Sequence, residues 1–544
     1  MDSNSKLIGH WPLQDDTNDH SNHALETEDI DVELVDDAPT GCNGAGRFNG
    51  HSSKLELCDH PALSFGHDEF TFAAWIHTDM NADVAGDLFG RFDSVSRRGI
   101  NLCLLTNTGV TSTAQPNRRK LQFGIDDGRL EPEWQDCGRP GNAVLITSLL
   151  ATNGLLYAGT LETGADETGR LFRYDGGKRW VDLGNPVGTN AVHSITEFEG
   201  AIYCAAARYA TAGSCLGNTI LNNTRGGQIY RLEENGEWTF CGHPGLDESI
   251  DDDEPAGPYN AGKADDSMSL TPYRGDLYCV SNHMKGVFKY EGGEEWTKIG
   301  LDSRVITLTI YRDELYALAN GGPVYRYLGD DEWQDCGTPG ESRQTYGAAI
   351  HAGQLYVGTW PDGTIHRYDR DGEWPLVGRA GYEREVMAMA NYNGKVYAGG
   401  LPTGSVYRLD GSSITMVANL DASPAVLRRV WSMAVYGGSL YAGTLPSGHV
   451  YKIQAGRCTT WDETFPEGWH HVVAVKGRRQ LKLYVDGRCV SQSDGFHPAD
   501  YSLDTATPLT IGFGAFEHFC GLMSDVRLYR GEMDGGEVLT LSTV

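Results

Sequence analysis

One unit recurs through the middle of the chain: G-x-[LIV]-Y, a loop, [LIV]-[FYH]-[RK], a turn, then G-x-x-W-x-x-x-G. No other feature restricts the fold as strongly. Its first tyrosine stands at Tyr157, Tyr203, Tyr278, Tyr316, Tyr356, Tyr397 and Tyr441, at intervals of 46, 75, 38, 40, 41 and 44 residues. The long interval holds two polar inserts. Within each unit the V-x-Y-x-[LI] alternation has the period of two that a half-buried strand requires. The unit therefore reads as four short strands, and a four-stranded repeat of about forty residues is the signature of a β-propeller blade. Seven marked units predict seven blades over residues 131–457. The last unit ends at HVYKIQAG without an outer strand. Glu133–Gly138 reads EWQDCG, identical to Glu332–Gly337, and precedes the first unit. The spare strand at 132–138 is expected to complete blade seven and close the ring, leaving no open edge.

Composition supports an all-β chain. Of the 544 residues 69 are Gly, 26 Tyr and 12 Trp, as expected of many short strands joined by tight turns. The net charge is −30, which speaks against a nucleic-acid partner. No run approaches the ~18 apolar residues of a membrane span. The opening MDSNSKLIGHWPL lacks the apolar core of a leader, so the expectation is a cytoplasmic protein, or a secreted or periplasmic one if a leader has been removed. Cys137, Cys241 and Cys336 each follow a Trp by three residues, at equivalent places in separate repeats. They should lie too far apart to pair, and most of the 12 cysteines read as small buried hydrophobes. No C-x-x-C zinc spacing occurs.

Residues 1–130 and 458–544 each read as half a domain. The first holds LIGHWPL, GRFNG, DEFTFAAWIHTD, GINLCLLT and KLQFGIDDG. The second holds Trp469–Ala474 (WHHVVA), Leu483–Gly487 (LYVDG) and Gly521–Tyr529 (GLMSDVRLY). In that order these segments resemble the laminin G-like, concanavalin A-like lectin/glucanase sandwich. The resemblance implies a jelly-roll needing both halves to bury one core. The propeller is then an insertion in one of its loops, covering or remodelling its usual ligand face. The resemblance also implies a carbohydrate-binding module and, as the metal such folds use, a structural calcium; no other cofactor is required. The acidic run Asp251–Glu254 has no alternating ligand spacing and reads as a solvated loop.

Propellers bind ligands at the mouth of the central channel. Aligned on their tyrosines, the units place His193, Met268, Ile306, Tyr346, Met387 and Trp431 at one level. Arg304, Arg343, Arg384, Arg428 and Arg429 enter from just before. A guanidinium fork suits carboxylates and sulfates, so an acidic poly- or oligosaccharide is the expected ligand. The competing reading pairs these arginines with Asp302, Glu341, Glu383 and Glu385. Arg208, Tyr209, His283 and Trp360 come from the loops after the second strands, where aromatic rings could stack on sugars. His193, His283 and Tyr346 form a constellation for removing a proton beside a uronate carboxylate, as a polysaccharide lyase requires. The resemblance to propeller lyases is one of architecture alone. Asp266 and Glu385 are the candidates for an alternative, hydrolytic acid/base pair. The non-enzymatic alternatives are a lectin and a protein-interaction scaffold, the latter predicting an exposed apolar patch on the rim. No P-loop or dinucleotide fingerprint is in place.

Overall fold

The computed structural model describes residues 5–108, 112–129, 132–210, 216, 220–246, 264–282, 284–370 and 372–543. The protein is all-β, 53% strand and 2% helix, with a propeller-like ring of sheets and a two-sheet sandwich. One sandwich sheet combines Lys6–Trp11, Glu33–Val35, Ala45–Asn49 and Phe70–Thr78 with Gly468–Lys476, Leu481–Val485, Arg488–Gln492 and Cys520–Arg530. The other combines Thr27–Ile30, Lys54–Leu57, Gly86–Asp93, Arg98–Asn107 and Asn117–Asp127 with Arg457–Trp461 and Leu509–Ile511. Alternation sends Phe70, Phe72, Ala74 and Ile76 of one sheet against Leu102, Leu104, Leu121 and Phe123 of the other, forming one apolar core from both ends of the chain.

The ring's inner strands are Leu145–Thr152, Ala191–Phe198, Ser267–Tyr273, Val305–Tyr311, Gln344–His351, Glu385–Tyr392 and Arg429–Tyr436. Each packs on the next, and the last packs on the first. The expectation of seven separate blades is corrected. Among the described residues there are five separate four-stranded sheets, and the other eight ring strands form a single sheet. The physical reason is one backbone pairing, Leu161 with Ala191, which joins two four-stranded halves edge to edge. Gln135–Asp136 pairs with Tyr451 and Lys452, so a strand from before the ring completes its last sheet.

The recurrent aromatic residues hold neighbouring sheets together. The unit tyrosines are buried between sheets, except for half-buried Tyr356. The outer-strand indoles staple one sheet to the carbonyl of the preceding one: Trp180 to Cys137 at 2.9 Å, Trp296 to Cys241 at 2.7 Å, Trp333 to Ile299 at 3.0 Å and Trp374 to Cys336 at 2.8 Å. This gives the Trp-x-x-Cys repeat its role through the cysteine's backbone. All described cysteines are free, and Cys137, Cys241 and Cys336 are buried.

The ring sits on the outer face of the second sandwich sheet and shares apolar packing with it through Val84, Cys103, Leu105 and Ala114. Ring turns dock on the sandwich, with Gly353 N–H bonded to the Phe516 carbonyl at 2.9 Å and Gly438 N–H to Thr460 Oγ1 at 3.0 Å. The rest of the joint is polar. Asn101 Nδ2 donates to Asn393 Oδ1 at 2.7 Å, and Lys395 Nζ meets Asp126 Oδ2 at 2.5 Å. Gly124 is required here, since a Cβ would collide with Asn393.

The hairpin between Arg98–Asn107 and Asn117–Asp127 enters the ring's channel. Asn107 Oδ1 accepts from Asn391 N–H at 2.7 Å, and Asn117 bonds both backbone groups of Val435, at 2.8 and 2.5 Å. Thr113 bridges to Leu270 and donates to the Ile195 carbonyl, while Ser112 donates to the Thr147 carbonyl. The sandwich thus plugs the near end of the channel. Asn117→Ala would leave two buried backbone groups unpaired, at a cost of about 2–5 kcal/mol; chemical denaturation should show this, with the ring signal lost first.

Two carboxyl groups at the joint lack full partnership. Asp87 Oδ2 accepts from the N–H groups of Phe516 and Glu517, both at 2.8 Å, while Oδ1 and Glu517 Oε2 are buried without partners. Burial pushes each carboxyl up to about 8. The folded state therefore holds protons that the unfolded chain releases near pH 4. Their contribution to stability is fully present below that point and is lost as pH rises to about 8. The slope is at most about 1.4 kcal/mol per pH unit per group. Denaturation midpoints should fall between pH 5 and pH 8, and Asp87→Asn should flatten that decline.

Candidate functional site

The channel end facing away from the sandwich is where the inner strands begin, and the plug supplies its floor. Trp431 Nε1 donates to Ser112 Oγ at 3.2 Å. Trp431 is 2% exposed, packed with Leu145, Leu161, Ala191, Met387 and Leu445. Tyr209 and Tyr346, both half-buried, pack on this cluster.

His193 is fully buried, and its Nδ1 meets Asp266 Oδ1 at 2.5 Å. Asn282 Nδ2 donates to the second Asp266 oxygen at 2.8 Å, and Arg304 Nη2 donates to Asn282 Oδ1 at 2.8 Å. One hydrogen-bonded line therefore crosses three neighbouring units. His193 Nε2 has no partner. The Tyr209 ring covers the imidazole at 4.4 Å between centroids, and Trp431 lies 6.3 Å away. Asn190 pins Tyr209 by its backbone, accepting from its N–H at 2.9 Å and donating to its carbonyl at 2.7 Å.

A buried ion pair forms the opposite wall. Arg429 Nε meets Glu385 Oε1 at 3.1 Å, and the guanidinium lies 5.7 Å from the Trp431 ring centre. Burial opposes the Arg429 charge most strongly of any one cause, but Glu385, Tyr346 and Tyr209 together outweigh it and raise its pKa. The Tyr346 hydroxyl donates to Gln344 Oε1 and is raised well above the usual phenol value, first by burial and then by the Glu385 charge. Burial, then Asp266, pushes Tyr209 the same way.

Of the sequence candidates, the structure brings together His193, Asp266, Tyr209, Trp431, Arg304, Tyr346, Glu385 and Arg429. His283 and the Asp251–Glu254 run lie outside the described residues. Trp360 is half-exposed, and its carbonyl accepts the Arg343 N–H at 2.9 Å. Arg208 reaches Asp265 at 3.4 Å. Among the described residues the salt-bridge reading holds for Arg429 with Glu385, and the other named acids have no arginine partner. Asp302 pairs with Lys285, and Glu383 accepts from Thr403 and Tyr407. Among the described residues, the exposed Arg343 and Arg384 side chains have no partner, while the Arg428 guanidinium donates to the carbonyls of Asp421 and Ser423, at 2.6 and 3.3 Å. Thus Arg304, Arg343, Arg384 and Arg428, which immediately precede or open inner strands, have no carboxylate partner among the described residues.

Sequence reasoning missed Ser112, Asn190, Asn282 and Tyr382. Tyr382 is 92% exposed, two residues before Arg384. Its GYER context carries no repeat signal, and Ser112 arrives from a different domain. Among the described residues no group of three or more His, Cys, Asp or Glu side chains is placed to hold a metal ion.

Residues 431–539, about a fifth of the chain, match the model of the concanavalin A-like lectin/glucanases superfamily. No curated protein sequence matches the chain. Among solved structures, it is similar to a catalytically inactive virginiamycin B lyase from Staphylococcus aureus with quinupristin, at 11% identity and a TM-score of 0.43. That match covers 60% of this chain and 99% of the lyase. It is also similar to the WD40 β-propeller domain of Doa1, at 12% identity and a TM-score of 0.39, covering 59% of this chain and 96% of that one.

Tyr209 is the cover that shields His193. In the wild-type protein the peptide carrying His193 should stay unmodified by diethyl pyrocarbonate, as read by mass spectrometry. In Tyr209→Ala it should become modified; equal protection in both proteins would refute the covering role.

Proposed function

We propose that this is a carbohydrate-binding protein that takes an anionic, uronate- or sulfate-bearing polysaccharide at the ring mouth. The observation that carries the reading is the set of four guanidiniums, on Arg304, Arg343, Arg384 and Arg428, without carboxylate partners among the described residues of a protein of net charge −30. Left uncompensated, they can make paired charge-assisted hydrogen bonds to a carboxylate or sulfate. Tyr382, exposed beside Arg384, offers a ring face to the apolar C–H side of a sugar.

A lyase reading is favoured by the orphan His193 Nε2, backed by Asp266 through Nδ1. In that reading Arg304 neutralises the uronate carboxylate. His193 Nε2 takes the α-proton, whose electron pair forms the new double bond as the bond to the leaving oxygen breaks. The Tyr346 hydroxyl returns a proton to that oxygen. The step requires Tyr209 to swing off the imidazole. Hydrolysis is less well supported, since Asp266 and Glu385 are each tied to a neighbour and offer no free acid/base pair.

Affinity electrophoresis through ulvan, alginate, pectate and glycosaminoglycans tests the binding. Retardation should occur with at least one polymer and weaken with added salt. The Arg343→Ala/Arg384→Ala variant should raise Kd about 10-fold or more. Retardation unchanged in that variant, or absent with every polymer, would overturn the proposal. Ultraviolet absorbance of an unsaturated uronate, lost in His193→Ala, separates a lyase from a lectin.

A further inference from the structure

The indole staple does not close between the first and second units. By the repeat spacing, Trp238 should donate to the carbonyl of Leu183, which follows Trp180 as Cys137 follows Trp134. Among the described residues the Trp238 indole makes no hydrogen bond, although a Cβ on Gly184 would lie 4.0 Å from its Nε1. The first unit's outer ladder slips at this point, so Leu183 has no residue opposite it. A donor and a carbonyl that other seams join are therefore parted at this one.

The parted seam holds a groove of about 800 Å³. Its apolar walls are Tyr157 and Leu183 from the first unit and Phe198, Ile202 and Leu232 from the second, with Leu183 and Leu232 half-exposed. The Asn153–Gly154 and Glu199–Gly200 turns, which follow the inner strands, border it. It therefore opens at the end of the ring opposite the mouth. Arg173 enters from the first-unit wall, where it pairs with Tyr157 in the ladder. At the same ladder position other units carry Arg231, Lys289, Arg326 and Arg408. Each of those is ion-paired with a nearby carboxylate. Arg173, half-exposed, has no carboxylate partner among the described residues. The facing wall carries exposed Glu199 and Glu234.

We propose that this groove binds an extended peptide segment in which a leucine-sized apolar residue stands beside an aspartate or glutamate. A peptide group supplies both an acceptor for Trp238 Nε1 and a donor for the Leu183 carbonyl, the two partners that the open staple lacks. The apolar side chain leaves water against Leu183, Leu232 and Ile202. The carboxylate meets the Arg173 fork in paired charge-assisted hydrogen bonds. Glu199 and Glu234 repel a second carboxylate on the facing wall and so set the direction in which the segment lies. The inference does not rest on the carbohydrate reading of the mouth.

The test titrates the full-length chain into fluorescein-labelled octapeptides of one Ser-Gly frame and reads anisotropy. The central pair is Leu-Asp, Asp-Leu, Leu-Lys or Ser-Ser. Leu-Asp or Asp-Leu should bind about 10-fold or more tighter than the other two. Arg173→Gln should remove that preference. Trp238→Phe keeps an aromatic ring but removes the donor, and should weaken the acidic peptide several-fold; it also checks the groove if Arg173→Gln fails to fold. No binding of either acidic peptide, or binding unchanged in both variants, would overturn the proposal. Retardation by acidic polymers should be the same in Arg173→Gln as in the wild type. Its loss would assign the groove to a polysaccharide and overturn the peptide reading.

Discussion

Everything in this protein is organised around a hairpin of the sandwich inserted into the channel of the ring. Inner strands of a ring present polar backbone groups to the channel, and a dry channel would leave them unpaired. Asn107, Ser112, Thr113 and Asn117 satisfy such groups on several inner strands at once. The ring and the sandwich therefore share hydrogen bonds and apolar packing instead of merely touching. The insertion of one fold in the other becomes a mechanical coupling as well as a topological one.

That coupling reaches the candidate site. Ser112 lies under Trp431, which lies beside His193 and the Arg429–Glu385 pair. A change in how the sandwich seats its hairpin would move the floor of the mouth. The joint also tolerates unusual buried chemistry. Asp87 and Glu517 persist with raised pKa values because burial costs a neutral carboxyl far less than a charged one.

The mouth itself divides into two layers. The inner one, with His193–Asp266 and Arg429–Glu385, is buried and internally compensated. The outer one, with Arg304, Arg343, Arg384 and Arg428, has no carboxylate partner among the described residues. An anionic ligand would meet the outer layer first, and only displacement of Tyr209 would bring it to the imidazole. In the proposed reading, ligand binding at the outer layer and proton abstraction at the imidazole are thus separable.

The repeat made the ring legible, because a forty-residue period with two-residue alternation admits few other packings. The mouth level of His193, Met268, Ile306, Tyr346, Met387 and Trp431 was legible for the same reason, since equivalent repeat positions occupy equivalent heights. The pairing of Leu161 with Ala191, which merges two units into one sheet, was not, because a single edge contact leaves no trace in periodicity. Nor were the plug and the Ser112 floor, since residues about 320 positions apart meet only when the ring closes around the hairpin. The sequence by itself determined the strand pattern, the repeat and the arginine bias. Only the tertiary structure decided which arginines stay unpaired and that Tyr209 covers His193. Those outcomes depend on through-space neighbours, and charge compensation and burial are properties of neighbours and not of residue type.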